Sequence, residues 1–392
     1  MGLLDKVQQF QTARQLQAAG LYNYFRPIES AQTNTVRYNG REVIMLGSNN
    51  YLGLTNHPRV KEAAKQALEK YGSGCAGSRF LNGTLDVHVQ LEEQLADLVG
   101  KEKALVFSTG FFANQGTIST MVGRGETVIV DRTDHASIID GCRMSFGNVR
   151  KYRHQDMEHL EYCLEQEADN DKMVVVDGVF SMEGDIAKVP EIVAAAKRHD
   201  ALVMVDDAHG VGVMGDHGRG TCDHFGVTDQ VHLIVGTFSK SLASVGGFVA
   251  SDADTIHYIQ HLARGRGFSV TPPPAAVAWV SAASDVMLEE DWRHEALWRN
   301  TRIMMERLQD AGFDTGPSET PIIPVVVGGD EVAYRMCVRC WEEGVFVNPI
   351  VSPAVDPGNA LLRLSLMATH TEDEIHKAMD ILSSVGKELG VV

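Results

Sequence analysis

Between residue 58 and about residue 250 the chain alternates two patterns. Short apolar runs of strand length fall at 104–107, 127–131, 173–176, 202–205 and 231–235. Stretches with helical spacing of apolar positions separate them, as at 87–99 and 189–199. This rhythm predicts an α/β fold, a mostly parallel sheet covered by helices on both faces. Earlier, residues 1–20 read as helical and polar on one face. An extended arm follows through Tyr24-Phe25-Arg26-Pro27, and 43–48 reads as a short strand. Thr271-Pro272-Pro273-Pro274 breaks the pattern, because consecutive prolines continue neither a helix nor a ladder. A long helical stretch over 275–311 comes next, with Gly312 placed to end it. Strands are expected at 322–327, 345–348 and 360–366, before a final helix opened by a capping box at Thr371-Glu372-Asp373-Glu374. The breaks divide the chain into an N-terminal helix and arm (1–55), a large domain (56–275) and a smaller α+β C-terminal domain (276–392).

Composition narrows the class. In 392 residues, 44% apolar and 22% charged, there is material for a large core, and the proportions are ordinary for a globular enzyme. A net charge of −17 argues against a general nucleic-acid binder and against docking on anionic membranes. No apolar stretch reaches transmembrane length, and the start (Met1 to Lys6) lacks a signal-peptide pattern. Six scattered cysteines fit reduced thiols, so the expected location is the cytoplasm. Cys337 and Cys340 sit in a helix-like stretch over 330–343 and are expected to pack. His257 and His261 share a helix face without an obvious third ligand, so no metal site is expected.

Four pieces carry candidate chemistry. Lys240, in Gly236-Thr237-Phe238-Ser239-Lys240-Ser241, follows an apolar strand; burial there would favour the neutral amine, a nucleophile able to form a Schiff base. Thr237 and Ser239 beside it could donate to a phosphate. Asp206 and His209, in Asp206-Asp207-Ala208-His209-Gly210, fall at the carboxyl end of the preceding strand, where parallel sheets collect chemistry. Asp134-His135-Ala136-Ser137 follows a third strand. In Ser108 to Asn114 the chain passes from strand to helix, whose first N–H groups would face an anion. Each piece has a plainer reading: Asp206-Asp207 as a helix cap, His135 as a hydrogen-bonded structural histidine, Lys240 as a snorkelling side chain. All four together suit pyridoxal 5′-phosphate, which needs a lysine, a carboxylate for its ring nitrogen, a partner for its phenolic oxygen and an anion seat.

The motifs SNNYLGL (48–54), GSGCAGSRFLNGT (72–84), STGFFANQG (108–116), DHASIIDG (134–141), DGVFSMEGD (177–185), VDDAHGVGVMGDHGRG (205–220), GTFSKS (236–241) and RLSLMATHT (363–371) make the resemblance specific. The chain resembles the α-oxoamine synthases, fold-type I pyridoxal-phosphate transferases, from about residue 20 to 385. The segments GCAGSRFLNGT, GTFSKSLAS and GVFVNPIVSPAV look most similar to the soluble bacterial serine palmitoyltransferases within that family.

The resemblance implies roles residue by residue. Lys240 carries the cofactor, His135 stacks on its ring, Asp206 meets the pyridine nitrogen, and His209 the phenolic oxygen with Ser181 nearby. The main chain of Gly110 and Phe111, with Thr237 and Ser239, holds the phosphate. Thr271 serves the phosphate site of a partner subunit in a homodimer with shared active sites. Arg363 takes the amino-acid carboxylate and Asn49 lies near the substrate. The implied reaction is a decarboxylative Claisen-type condensation of an L-amino acid, L-serine as the leading choice, with a long-chain acyl thioester such as palmitoyl-CoA. Alanine or glycine, a carrier-protein donor and a catalytically silent partner subunit remain open. Two places depart from the family: Arg264-Gly265-Arg266-Gly267, where relatives have bulky apolar residues, and Gly210, where the palmitoyltransferases commonly carry serine. Arg266 is read either as a contact for a CoA phosphate or as a solvent-facing arginine on a flexible turn.

Overall fold

The computed structural model describes residues 2–392, and the chain divides into two compact units. The larger comprises Asn49–Trp298 with Met367–Thr369; the smaller takes the residues through Ser48, then Arg299–Leu366 and His370–Val392. Strands β1 (Thr35–Tyr38) and β2 (Arg41–Met45) pair antiparallel in the smaller unit. Asn39 and Gly40 join them, both at positive φ, the backbone that a tight hairpin demands. The Asn-Gly pair carries the signal for this hairpin, whereas the apolar run at 43–48 predicted a single strand.

Seven strands build the larger unit: β3 (Lys103–Phe107), β4 (Thr127–Asp131), β5 (Asn148–Tyr152), β6 (Lys172–Asp177), β7 (Leu202–Asp206), β8 (Leu233–Thr237) and β9 (Gly247–Ser251). Their order is β3-β9-β8-β7-β6-β4-β5, and every pairing is parallel except the two made by β9. The expected α/β fold with a mostly parallel sheet is therefore present. β4 and β6 are buried at every position, as the continuous apolar runs of a doubly covered sheet require. β5 and β9 were not expected. β5 is an edge strand, exposed at four of its five residues, so Asn148-Val149-Arg150-Lys151 carries no burial pattern to read.

The smaller unit continues with β10 (Ile322–Gly328), β11 (Val345–Phe346), β12 (Asn348–Ile350) and β13 (Ala360–Ser365). β11 adds to β2 in parallel, and β10, β13 and β12 form an antiparallel sheet in that order. The last helix, Glu372–Glu388, opens with the expected capping box: Thr371 accepts from the Glu374 N–H, and Glu374 accepts from the Thr371 N–H. The single helix expected over 275–311 is instead two, Pro274–Glu289 and Trp292–Asp310. One local and one tertiary tie hold the break: Arg293 bonds back to Glu290 at 2.8 Å and reaches the Leu52 carbonyl at 2.9 Å. Local helix propensity carries no trace of the bond to Leu52. Residues 3–18 likewise form two short helices, Leu3–Gln9 and Thr12–Ala18, without a buried residue. Among the described residues no helix is long and apolar enough to cross a membrane.

Candidate active site

The sheet sets the site. β6 ends on Asp177, β7 on Asp206 and β8 on Thr237, and register pairs Asp177 directly with Asp206. The carboxyl ends of parallel strands thus bring two carboxyl groups and a hydroxyl to one rim. Beyond β4, His135 caps the helix Ala136–Met144, its Nδ1 accepting from the Ser137 N–H. Beyond β3, Thr109 caps the helix Gly110–Met121 by accepting from the Phe112 N–H at 3.1 Å. The first N–H groups of that helix, on Gly110 and Phe111, lack intrahelical acceptors and carry the positive end of its dipole.

These elements enclose a cavity of about 310 Å³. Of the residues singled out from sequence, Gly110, Phe111, His135, Ser181, Asp206, His209, Thr237, Ser239 and Lys240 all line it. Asn49, Thr271 and Arg363 do not. Asn49 nevertheless connects to it, because the Tyr51 hydroxyl lies 3.3 Å from Asn49 Oδ1 and 2.7 Å from His209 Nδ1. Thr271 is buried, its N–H on the Gly77 carbonyl at 3.2 Å and its hydroxyl unpaired. Arg363 lies buried on β13 of the smaller unit, with Nη1 donating to Ser365 at 2.8 Å. Lys240 is half-buried, more open than a strand-end lysine in apolar surroundings was expected to be.

Electrostatics divide the rim. Burial pushes the His135 imidazole below its ordinary range; the Asp206 charge opposes this and the Lys240 charge reinforces it. Burial, and then the Asp206 charge, push the Asp177 carboxyl well up. Asp177 also anchors His135, accepting its backbone N–H at 2.9 Å. Behind it Asp134 is pushed well up by burial and by the Asp177 charge, while it accepts the Asp177 N–H at 2.9 Å. Asp206 itself accepts from the Ala208 N–H at 3.1 Å and from Asn114 Nδ2 at 2.5 Å.

The chemistry of this donor set fits pyridoxal phosphate. Gly110 approaches so closely that a Cβ there would stand 2.7 Å from Thr237 Oγ1, leaving an anion cradle between a helix N-terminus and two hydroxyls. Asp206, His135 and Lys240 line the same cavity and would supply a carboxylate for a ring nitrogen, an aromatic face and an amine.

The sequence profile of Aminotransferase class I and II matches residues 41–382. The chain belongs to that family. Within it the chain is 51% identical over 387 residues to a serine palmitoyltransferase of Sphingobacterium spiritivorum, covering 98% of this chain and 97% of the relative. To an 8-amino-7-oxononanoate synthase of Thermoanaerobacter pseudethanolicus it is 43% identical, covering 96% of each. The solved structure of a Sphingomonas wittichii serine palmitoyltransferase superposes with a TM-score of 0.97 at 37% identity, covering all of both chains.

The structure places both segments that were expected to depart from the resemblance. Arg266 is neither solvent-facing nor open to a ligand phosphate. It is buried, 3.4 Å from Glu92, which also takes both terminal nitrogens of Arg79 at 2.9 Å. At Gly210 a Cβ would collide with Asp207 and Thr221, which hydrogen-bond there at 2.5 Å. The glycine therefore belongs to this internal pair. Sequence reasoning missed Asn114, Ser137, Tyr51 and Asp177. Asn114 had a usable signal, a polar residue on the buried face formed by Ala113, Gly116, Thr117 and Ile118.

Proposed function

We propose that the chain is a pyridoxal-phosphate-dependent acyltransferase that condenses an L-amino acid, L-serine first, with a long-chain acyl thioester such as palmitoyl-CoA. The observation that carries this reading is Lys240, Asp206 and His135 around one cavity beside a helix N-terminus. Identity of 49–51% to three serine palmitoyltransferases directs it to L-serine and a palmitoyl donor.

In the reaction a bond forms between the amino-acid Cα and the thioester carbonyl carbon. The C–S bond breaks, thiol departs with a proton, and the Cα–carboxylate bond breaks to release CO2. Cα then takes a proton to give an α-amino ketone. Bound pyridoxal phosphate supplies the carbonyl that captures the amine and the conjugated ring that receives the electron pair. The residues do the rest. The Lys240 amine holds the cofactor, then takes and returns the proton at Cα as general base and acid. Asp206, fixed from behind by Asn114 and Ala208, keeps the ring nitrogen protonated. His135 would offer its imidazole face to the ring, and His209, steadied by Tyr51, would be the partner of the phenolic oxygen together with Ser181. Gly110, Phe111, Thr237 and Ser239 hold the phosphate. Arg363 pairs with the substrate carboxylate and Asn49 stands near the substrate, assignments that rest on the motif match.

The same reading makes the enzyme a cytoplasmic homodimer with shared active sites, Thr271 serving the partner's phosphate. Supporting this are the unpaired Thr271 hydroxyl and a lone-chain surface exposing Leu81 (81%) and Phe268 (87%). The test is free-thiol release from palmitoyl-CoA by cofactor-loaded protein, with L-serine, L-alanine and glycine in parallel. Release with serine well above the other two is expected. A preference for alanine would move the chain toward the oxononanoate synthases. No release with any amino acid would overturn the acyl donor.

A further inference from the structure

Asn114 stands in the cavity wall and is almost wholly buried. Its Nδ2 makes two bonds, to Asp206 Oδ2 at 2.5 Å and to Ser137 Oγ at 2.8 Å. Its Oδ1 has no hydrogen-bond partner. The reverse orientation of the amide would set that oxygen against a carboxylate, so the electrostatics fix the nitrogen toward Asp206. A buried carbonyl left unpaired is unfavourable, which means the two bonds on the nitrogen side hold the group against that cost.

The consequence runs further. Ser137 Oγ accepts from Asn114, so its own proton is free to point the other way, to His135 Nδ1 at 2.7 Å. The Ser137 N–H points to the same Nδ1 at 3.3 Å. A nitrogen that accepts from both carries no proton, and the neutral ring must then bear its proton on Nε2. One amide thereby links the carboxylate and the imidazole that face the cavity from β7 and from the turn after β4.

We infer that Asn114 is a positioning residue that orients the Asp206 carboxylate and, through Ser137, sets the tautomer of His135. The inference rests on the proposed function in so far as both groups meet pyridoxal phosphate. Its test uses the cofactor alone, without an acyl donor. The dissociation constant of pyridoxal phosphate and the midpoint of the pH titration of its bound visible absorption are compared in wild type, Asn114→Leu and Ser137→Ala.

Asn114→Leu removes both bonds, so it should weaken cofactor binding roughly tenfold or more, the weight of a hydrogen bond to a charged group, and move the midpoint. Ser137→Ala keeps the bond to Asp206. It should move the midpoint while binding stays within about threefold of wild type, since only a neutral hydrogen bond is lost. Asn114→Asp, nearly the same shape, replaces the leucine variant if that protein does not fold, with the same expectation for both readouts. A merely structural role for Asn114 would lower the melting temperature and leave the midpoint alone. Asn114 variants with wild-type midpoint and affinity overturn the inference, and so does Ser137→Ala with an unmoved midpoint. A wild-type protein that binds no pyridoxal phosphate would overturn the proposed function itself, a result distinct from any failure of the variants.

Discussion

Two clusters in the larger unit use the same residue types at the same level of the sheet. In one, His154 lies with Nδ1 3.1 Å from Asp131 and Nε2 3.1 Å from Asp185. Asp131 also accepts the Thr133 and Gln155 N–H groups at 2.9 and 3.0 Å, and the Phe180 ring closes over the imidazole edge-on. In the other, His135, Asp206 and Lys240 stand around an open cavity. Both hold carboxylates and a histidine at strand ends. The first turns its carboxylates onto one histidine and leaves Asp185 Oδ1 unpaired, while the second lines a space large enough for a ligand. Residue type and strand-end position do not by themselves mark a catalytic group; access to an open cavity does.

The largest effect should separate the two clusters outright. Lys240→Ala is expected to abolish the visible absorption of bound cofactor and to lower thiol release by roughly 10²–10⁴-fold, the weight of a general base at the reacting carbon. His154→Gln should leave that absorption in place. If His154→Gln removed it as Lys240→Ala does, the division between a closed and an open cluster would fall.

Stability should show the reverse. Asp131 is buried and neutralises His154 directly, so Asp131→Asn leaves a partly uncompensated charge and is expected to cost about 3 kcal/mol, read as a lowered denaturation midpoint. A midpoint within about 0.5 kcal/mol of wild type would mean that solvent already screens the pair.

The same contrast governs what could be read in advance. The sheet was legible because β4, β6, β7 and β8 are continuous apolar runs ending on Asp or Thr, and seven proposed cofactor residues follow from motifs at those ends, with Gly110 and Phe111 after β3. Strand β5 was not, since an exposed edge needs no apolar pattern. Nor was the break at Glu290, where Arg293 reaches the Leu52 carbonyl, a group distant in sequence. Arg266 misled for a similar reason. Its partner Glu92 stands on another helix, and a lone arginine between glycines reads as exposed when its counter-charge is out of sight. Tyr51 bonds to His209 and Ser137 to His135, and neither residue type marks such a role in sequence.

The smallest effect comes from pH. Burial alone would lower the His154 pKa, yet the hydrogen bonds and charges of Asp131 and Asp185 outweigh it and raise the imidazole to about 10. The folded value lies above the unfolded 6.5, so the cluster's contribution is fully present below about pH 6.5 and is lost as pH rises through 10. With a quarter of the His154 side chain exposed, solvent screening reduces the contribution to about 1–2 kcal/mol. Other groups titrate in this range, so the quantity to follow is the melting-temperature gap between wild type and His154→Gln. That gap should be a few degrees at pH 6 and close by about pH 10.5. A gap that stays constant would show that His154 contributes by packing against Phe180 rather than by charge, and the closed cluster would then owe its stability to shape.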